Sequence, residues 1–411
     1  MKSLLIKAFY ICIWIYCGIA FFDPSDYILG VKLPFFALIL FIFLMLNLFD
    51  RAVLPEDLLL RVIFIAFMLP AFFLGVFMVR HPGQSLTDGL SLVRGLWAIM
   101  LVLPVVAMGV DLRKPMFLCI GIMMLSIIGL QVCSAIDPKL YEKISIFLID
   151  NSVALIGFRN FGELDLVMIF FVTTPLLVIP VPFLIGTIFG QGSAWGWRVG
   201  ATIFLFLILL ASFLSASRAV FFILLAECLT CFLVIVRHRP RLLAGALVTA
   251  AVFSLLVLLA IQRTSLLSAE EQSNTVKIAH YKSFLTFIDE NPIVLLTGDG
   301  LGAQYYSNAP GINREVYQTE LTYLDIIRYF GLAGCLCFLL LLVVPFFSTI
   351  PDRLNMMGFL AYLVVAGNNP LLFNSTGMLA VVFFWSQQYR SYCKQGLGAG
   401  SSSLPSLGVT R

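Results

Sequence analysis

Long uncharged runs constrain this chain more than any other feature of its sequence. Residues 33–49, 116–134 and 199–216 contain no charged side chain, and about 20 consecutive apolar residues cross a bilayer as one helix. Charged residues make up only 12% of the chain and hydrophobic residues 61%, against about 25% and 45–50% in soluble domains. The sequence therefore predicts an all-α polytopic membrane protein and excludes a soluble fold.

Hydropathy divides the chain into about twelve predicted transmembrane helices and one large loop. The loop, residues 263–323, lies between the ninth and tenth helices and carries charges of both signs. We expect nine helices in 1–262, a loop domain in 263–323, three helices in 324–390 and a Gly/Ser-rich disordered tail in 391–411. The predicted helices are 4–22, 33–49, 62–79, 95–110, 116–134, 166–189, 199–216, 219–236, 243–261, 324–347, 355–370 and 375–388.

Basic residues in the short connections predict how the bundle is oriented in the membrane. Lys and Arg are retained on the cytoplasmic side, and the strongest cluster is Arg237-His-Arg-Pro-Arg241. Placing that cluster on the cytoplasmic side also places both termini there, together with Arg113 and Lys114, because the helices alternate in direction. The same alternation predicts that four segments lie on the outer face of the membrane: 80–94, 135–165, 215–218 and 263–323.

The sequence carries no signal for nucleic acid, metal or cofactor. Its net charge is only +4, and the basic residues are scattered between apolar runs, whereas nucleic-acid binding needs a continuous basic patch. It contains no Asp-x-Asp or His-x-x-x-His spacing of the kind that holds divalent metals. We expect no nucleic-acid partner, no metal and no cofactor, and we predict that activity survives a chelator.

Arg218 and Arg159 are candidate anion-binding residues on the external side. Arg218 follows Ser215-Ala-Ser217, where one predicted helix ends and the next begins, and a helix N-terminus beside a guanidinium suits phosphate oxygens. Arg159 precedes the sixth predicted helix on the same side. Each could instead be an interfacial arginine that snorkels to the headgroups. Glu227, inside a predicted helix, is either a functional acid or a protonated carboxyl packed between helices.

The asymmetry of the chain favours an enzyme over a secondary transporter. Transporters of this size are built from two halves with matching hydropathy and matching helix breaks. Here the one large loop precedes the last three predicted helices, and the only strong break is Gly367-Asn-Asn-Pro370. An enzyme acting on a lipid-borne substrate fits better. A transporter of lipid-linked sugar or of another solute remains the alternative from a different class.

Four short motifs occur in the same order and on the same predicted side as in a known family. They are Arg159, Ser215-Ala-Ser217-Arg218-Ala219, the stretch from Lys277-Ile-Ala-His280-Tyr281 to Gly298-Asp-Gly-Leu-Gly302, and Glu320-Leu-Thr-Tyr323-Leu with Gly331 and Gly334. Together they resemble the bacterial O-antigen ligases and Wzy-type polysaccharide polymerases over residues 155–345. In that family a His, or sometimes a Glu, stands at the position of Glu320.

The resemblance implies a GT-C-like glycosyltransferase of the bacterial inner membrane, with both termini in the cytoplasm and its active site at the periplasmic face. Such an enzyme transfers a glycan from undecaprenyl diphosphate to a sugar hydroxyl of another lipid-linked unit, without a metal or a nucleotide donor. By resemblance, Glu320 is the general base and the diphosphate is bound by Arg159, Arg218 and Lys277. Accessory candidates are His280, Tyr281, Tyr323 and Arg328. The implied partners are the undecaprenyl-diphosphate-linked oligosaccharide, membrane lipid, a chain-length regulator and a flippase.

Departures from the family pattern bear on which reaction is expected. Lys277 stands where the family has Arg, and Tyr281 where it has Trp. Glu320 in place of His favours a polymerase, and a ligase that joins the glycan to lipid A-core or to protein is the nearer alternative. Glu320 could also be a loop acid paired with Arg314 or Arg328. Asp325 and Arg328, three residues apart, are expected to pair with each other.

Overall fold

The structure, a computed structural model, describes residues 2–49, 54–161, 164–190, 192–237, 272–348 and 352–399. Its first half contains α1 (Lys2–Phe22), α2 (Lys32–Phe49), α3 (Glu56–Arg80), α4 (Thr87–Ala107), α5 (Arg113–Ile136), α6 (Pro138–Asp150), β1 (Ala154–Phe161), β2 (Leu164–Phe171) and α7 (Thr174–Phe189). Its second half contains α8 (Trp195–Leu214), α9 (Arg218–Val236), α10 (Gln272–Glu290), α11 (Ile293–Thr297), β3 (Tyr305–Ser307), β4 (Arg314–Val316), α12 (Thr322–Val343), α13 (Pro345–Ser348), α14 (Arg353–Ala366) and α15 (Ser375–Ala399).

The predicted all-α polytopic membrane protein is confirmed. Among the described residues, eight helices are long and apolar enough to cross a membrane, and two shorter apolar helices accompany them. The predicted ninth helix, 243–261, lies outside the described residues, as do 238–241 of the basic cluster and 263–271 of the predicted loop domain. α15 continues to Ala399, so 391–399 of the expected disordered tail are helical; residues 400–411 are not among those described.

A proline inside α3 is accommodated by a local change of pitch and by a tryptophan. Pro70 has no N–H to offer the carbonyl of Ala66, and the turn before it, Phe64–Met68, is π-helical. The indole N–H of Trp97 on α4 donates to that Ala66 carbonyl at 3.1 Å. This bond replaces the one that proline removes, and it ties α3 to α4.

Residues 164–171 form a strand, so the predicted sixth helix, 166–189, is wrong in its first part. β2 pairs with β1 in an antiparallel register that runs from Ala154↔Phe171 to Phe161↔Leu164. Hydropathy measures how apolar a segment is and not its period, and this segment is rich in the β-branched and aromatic residues that suit a strand. Two prolines, Pro180 and Pro182, lie inside α7 and divide it into a 3₁₀ part, Thr174–Val178, and an α-helical part, Val181–Phe189.

Two of the basic segments that predicted the orientation meet at one end of the bundle. Asp111 Oδ2 lies 2.6 Å from Arg113 Nη2 and 3.1 Å from Arg390 Nη1. Burial raises the pKa of Asp111, but the hydrogen bonds from Arg113 lower it more, to about 2. The start of α5 and the last helix are therefore held together by ion pairs at this end.

The loop domain is attached to the bundle by a glycine turn, Gly298-Asp-Gly-Leu-Gly302. Its three glycines have positive φ, and α12 kinks at Gly331, where φ is 67°. At the kink, the carbonyl of Arg328 accepts from the N–H of Asp299 at 2.7 Å. A Cβ on Gly298 or Gly331 would overlap the backbone of the other segment. Glycine is therefore required where the two backbones touch.

At the end of the bundle opposite Asp111, side-chain hydrogen bonds join several connecting segments. We call this end the loop end. Gln304 donates to Asp88 at 2.7 Å and so joins the loop domain to α4. The hydroxyl of Thr322 donates to the carbonyl of Asn369 at 2.7 Å and joins the start of α12 to the turn before α15. α10 packs on the β3–β4 hairpin through a small separate core of Phe284, Tyr305 and Val316. Among the described residues, the loop end comprises 23–31, 81–86, 137–161, 164–172, 215–217, 272–321 and 367–374.

Candidate active site

The turn between α8 and α9 presents Arg218 at the loop end. The hydroxyl of Ser215 donates back to the carbonyl of Ser212 at 2.7 Å, and Ala216 has a φ of 52°, so the chain reverses within a few residues. Arg218 is the first residue of α9. The free N–H groups and the dipole of a helix N-terminus favour an anion at this position.

Arg159 contacts the same turn from the β1–β2 hairpin. Its Nη1 donates to the carbonyl of Ala216 at 2.5 Å. Gln131 on α5 fixes the hairpin against the end of α8, because its amide donates to one carbonyl of β2 at 2.5 Å and to the last carbonyl of α8 at 3.1 Å. The two arginines singled out in the sequence therefore meet at one short turn.

One face of α10 connects Arg218 to Glu320. Asn274 Oδ1 accepts a hydrogen bond from Arg218 Nη2 at 3.3 Å, and Lys277 Nζ lies 3.5 Å from Glu320 Oε2. Asn274 and Lys277 are three residues apart, which makes them neighbours on a helix surface. Asn274 could not be identified from the sequence, because an uncharged amide in a polar loop gives no signal beyond its spacing from Lys277.

Glu320 combines a fixed backbone with an open side chain. The N–H and the hydroxyl of Thr319 both donate to Asp325 Oδ2, at 2.6 and 3.0 Å, and the N–H of Leu321 donates to the Thr319 hydroxyl at 3.1 Å. The Glu320 side chain is 50% exposed, so its carboxylate is accessible. The alternative pairing with Arg314 or Arg328 is wrong, because the Glu320 carboxylate pairs with Lys277.

Arg328 is fully buried, which does not fit the accessory role expected from the sequence. It donates to the carbonyl of Val316 and to Asp325 Oδ1, both at 2.9 Å, and the expected Asp325–Arg328 pair is confirmed. The rings of Tyr305 and Tyr329 each lie 4.8 Å from its guanidinium carbon. Arg328 therefore fastens the β4 strand of the loop domain to α12 and has no surface left for a substrate.

The other accessory candidates differ in their access to solvent. His280 is only 3% exposed, and its Nδ1 lies 2.8 Å from the hydroxyl of Ser307. Burial lowers the pKa of His280, and the Glu320 carboxylate opposes that shift. Tyr323 donates to the carbonyl of Leu363 at 2.6 Å and so joins α12 to α14. Tyr281 is 48% exposed and is the most accessible of the four.

Asp299, inside the glycine turn, takes part in an ion-pair cluster that sequence reasoning missed. Its carboxylate lies 3.4 Å from Arg80 Nη1 and 3.1 Å from His81 Nε2. Arg80 also donates to the hydroxyl of Thr297 at 2.6 Å. The partners are more than two hundred residues apart in the chain, so no local pattern could indicate the pairing. The cluster fastens the end of α3 to the loop domain.

Glu227 lies in the membrane-spanning part of α9, away from these residues. It is 2% exposed, and neither carboxylate oxygen has a hydrogen-bond partner within the described ranges. A Cβ on Gly358 of α14 would come within 3.4 Å of it, so it packs between α9 and α14. This position fits the protonated, packed carboxyl better than a residue that meets substrate.

The comparison with protein families gives one match that covers most of this site. The profile of a family described as O-antigen ligase matches residues 203–339, about a third of the chain. The match supports the O-antigen ligase superfamily. It includes Arg218, Lys277 and Glu320 and leaves out Arg159. Neither the curated proteins nor the solved structures gave a match.

Proposed function

We propose that this protein polymerises lipid-linked oligosaccharide units at the external face of the bacterial inner membrane. It transfers a glycan from undecaprenyl diphosphate to a sugar hydroxyl of another lipid-linked unit. The proposal is carried by α10, whose Asn274 contacts Arg218 and whose Lys277 contacts Glu320 one helical turn away. A cation for the leaving group and a carboxylate for the incoming hydroxyl thereby lie along one helix face.

The proposed reaction divides the work between these groups. Glu320 takes the proton of the acceptor hydroxyl while the hydroxyl oxygen bonds to the anomeric carbon of the donor sugar. The bond from that carbon to the diphosphate breaks, and its electron pair leaves with the diphosphate. Arg218 and Arg159 hold the developing charge through their paired N–H donors, with help from Lys277. Removing one donor of this kind typically lowers the rate by about 10²–10³.

The proposal also requires the loop end to face the periplasm and both termini to face the cytoplasm. The meeting of Arg113 and Arg390 at Asp111 supports it, because basic residues gather on the inner side. In a cysteine-free variant, an impermeant thiol reagent added to intact spheroplasts should label Asn308→Cys and not Lys114→Cys. Labelling of Lys114→Cys alone would place the site on the wrong side for this function.

A ligase is the second candidate, because the matched family is described as O-antigen ligase. Purified protein reconstituted with a radiolabelled lipid-linked repeat unit separates the two reactions. Products that grow as a ladder from that lipid alone support the polymerase. A single transfer that needs lipid A-core or a protein acceptor supports the ligase. Failure to form any glycosidic bond with either acceptor would favour transport.

A further inference from the structure

A polar pocket lies at the loop end and shares no lining residue with the turn where Arg159 and Arg218 meet. It is a partly open cavity between the end of α1, the starts of α2 and α15, and the side of α4. Its polar lining includes Asp26, Lys32, Arg94 and Ser375, beside the aromatic ring of Trp97. None of these residues takes part in the contacts that join Arg218 to Glu320.

Lys32 gives this pocket a buried positive charge. The residue is only 6% exposed, and its ammonium donates to the carbonyl of Pro24 at 2.5 Å. An ammonium has three donors, and this carbonyl is its one hydrogen-bond partner within the part of the chain that the structure describes. Burying a charge with so few partners is unfavourable, so the pocket is short of a hydrogen-bond acceptor.

Arg94 adds a second positive charge at the same opening. It lies two turns into α4, a helix apolar enough to cross a membrane. Its side chain is exposed, and it makes no hydrogen bond or ion pair with the described residues. An arginine at this depth is costly unless it meets a partner or a polar cavity. Arg94 therefore has a fork of donors available to a ligand.

The acidic residues nearby do not use up these donors. The carboxylate of Asp26 accepts from the backbone N–H of Lys32 at 3.0 Å. Asp23, outside the pocket lining, accepts from the backbone N–H groups of Ile28 and Leu29 at 3.3 and 2.8 Å. The lining thus carries two cations and one carboxylate, and Asp23 is a second carboxylate whose charge also acts on Lys32. Both carboxylates accept hydrogen bonds from backbone N–H groups and not from the ammonium.

The pocket lies at the same end of the bundle as Glu320. Gly95, next to Arg94, packs so closely on the carbonyl of Phe373 that a Cβ would overlap it. Phe373 lies in the turn between α14 and α15, and the same turn holds the start of α12 through the Thr322–Asn369 bond. A lipid bound at Arg94 would therefore have its headgroup on the side of the membrane where Glu320 lies.

We propose that the pocket lined by Lys32 and Arg94 binds the phosphate group of the second lipid-linked substrate, the acceptor. This inference rests on the proposed polymerase, which uses two lipid diphosphates at once, one as donor and one as acceptor. The planar fork of Arg94 and the ammonium of Lys32 suit phosphate oxygens. A ligase that uses a different acceptor has no need for a second site of this kind.

Binding stoichiometry tests the inference without requiring catalysis. The full chain in phosphatidylcholine nanodiscs is titrated with radiolabelled farnesyl diphosphate, a short polyprenyl diphosphate, by equilibrium dialysis. We expect two sites in the wild type. Arg94→Gln should weaken one of them at least tenfold, and Arg218→Gln should weaken the other. Lys139→Gln, which removes a charge from an exposed position on α6, is the matched control and should keep both.

The outcomes separate this inference from the proposed function. If Arg94→Gln binds two equivalents with unchanged affinity, or if the wild type binds one equivalent that only Arg218→Gln removes, the second site does not exist. If Arg94→Gln loses a site while Arg218→Gln keeps both, the pocket stands and the proposed donor site fails. A parallel titration with inorganic phosphate should fill the Arg94 site at least tenfold more weakly; equal affinity would make it a site for free phosphate and overturn the assignment to a lipid.

Discussion

Two ion pairs at the entrance to α12 have opposite environments. Lys277 and Glu320 lie 3.5 Å apart with 26% and 50% of their side chains exposed, whereas Arg328 and Asp325 lie 2.9 Å apart with 0% and 3% exposed. The buried pair is further bonded to backbone groups of the loop domain. The buried pair therefore holds the segment around residue 320 in place, and the exposed pair is free to meet a substrate.

This difference matters for the proposed role of Glu320 as general base, because proton transfer needs both precision and access. A catalytic carboxylate must be held within a fraction of an ångström of its target, and it must also be reached by the hydroxyl that it deprotonates. Glu320 obtains its position from Thr319 and Asp325 and its access from its own exposure. Changes to the exposed pair should alter activity, and changes to the buried pair should alter stability.

The largest effect on activity is expected from Glu320→Gln in the exposed pair. Glutamine keeps the shape of the side chain but cannot take a proton, so glycan transfer should fall by about 10²–10⁴. Insertion, thermal stability and binding of the lipid-linked donor should stay as in the wild type, and Glu320→His should recover part of the activity. The measurement is the rate of polymer formation by purified protein in nanodiscs.

Glu315→Gln is the matched control for that change. Glu315 is an exposed carboxylate in the same loop domain, on β4, so its loss tests whether any acid there matters. Transfer by Glu315→Gln should stay near the wild-type rate. Polymer formation by Glu320→Gln at that rate would mean that the base is another group, and His280 would be the next residue to replace.

The second effect concerns the arginines at the turn before α9. If Arg218 and Arg159 hold a diphosphate through their planar forks, lysine is a poor substitute because it offers a point charge. Arg218→Lys and Arg159→Lys should each lower transfer by about 10²–10³, with normal insertion. Arg198→Lys is the control, because Arg198 also donates to a backbone carbonyl, that of Gly190 at 3.0 Å. Wild-type activity in Arg218→Lys would reduce that residue to a structural one.

The third effect tests the buried pair directly. Arg328→Met leaves Asp325 buried without its cation, and breaking a buried pair in this way costs about 3–5 kcal/mol. Lys277→Met, in the exposed pair, should change stability by about 0–1 kcal/mol. Unfolding midpoints of the two variants in the same detergent give the comparison. Equal midpoints would show that burial does not separate the roles of the two pairs.

The sequence could predict the spans but not this division of roles. The apolar runs are local, so hydropathy located all eight described helices that are long and apolar enough to cross a membrane. It misread 164–171, because apolar content alone does not distinguish a strand from a helix. Glu320 and Arg328 both appear in the sequence as charged residues near a helix start, and their burial depends on which distant segments cover them.

The same limit applies to the contacts that assemble the site. The Arg159–Ala216 bond and the Arg80–Asp299 pair join parts of the chain that are far apart, and no spacing rule connects such residues. The resemblance to a family supplied Arg159, Arg218, Lys277 and Glu320 as a set. It did not supply Asn274, an uncharged residue that is distinguished only by its position one turn from Lys277 on α10.

The smallest expected effect is a pH dependence of the stability of the loop domain. It distinguishes the contribution of His280 from that of the exposed pair. Burial lowers the pKa of His280 below its ordinary value of 6.5, because the neutral ring is favoured inside the fold. As the pH falls through 6.5, the unfolded chain takes up a proton before the folded chain does. Stability should therefore be highest above that pH and should decrease on acidification.

Hydrogen exchange of residues 272–320 in the wild type at pH 7.5 and pH 5.5, corrected for the intrinsic rate, measures this change. Protection should be lower at pH 5.5, and His280→Gln should remove most of the difference while lowering protection at both values, since the bond to Ser307 is altered. His81→Gln controls for the other loop-end histidine, which lies beside Asp299. An equal loss of protection in wild type and His280→Gln would assign the pH dependence to the carboxylates, Glu320 included, and would remove His280 as its source.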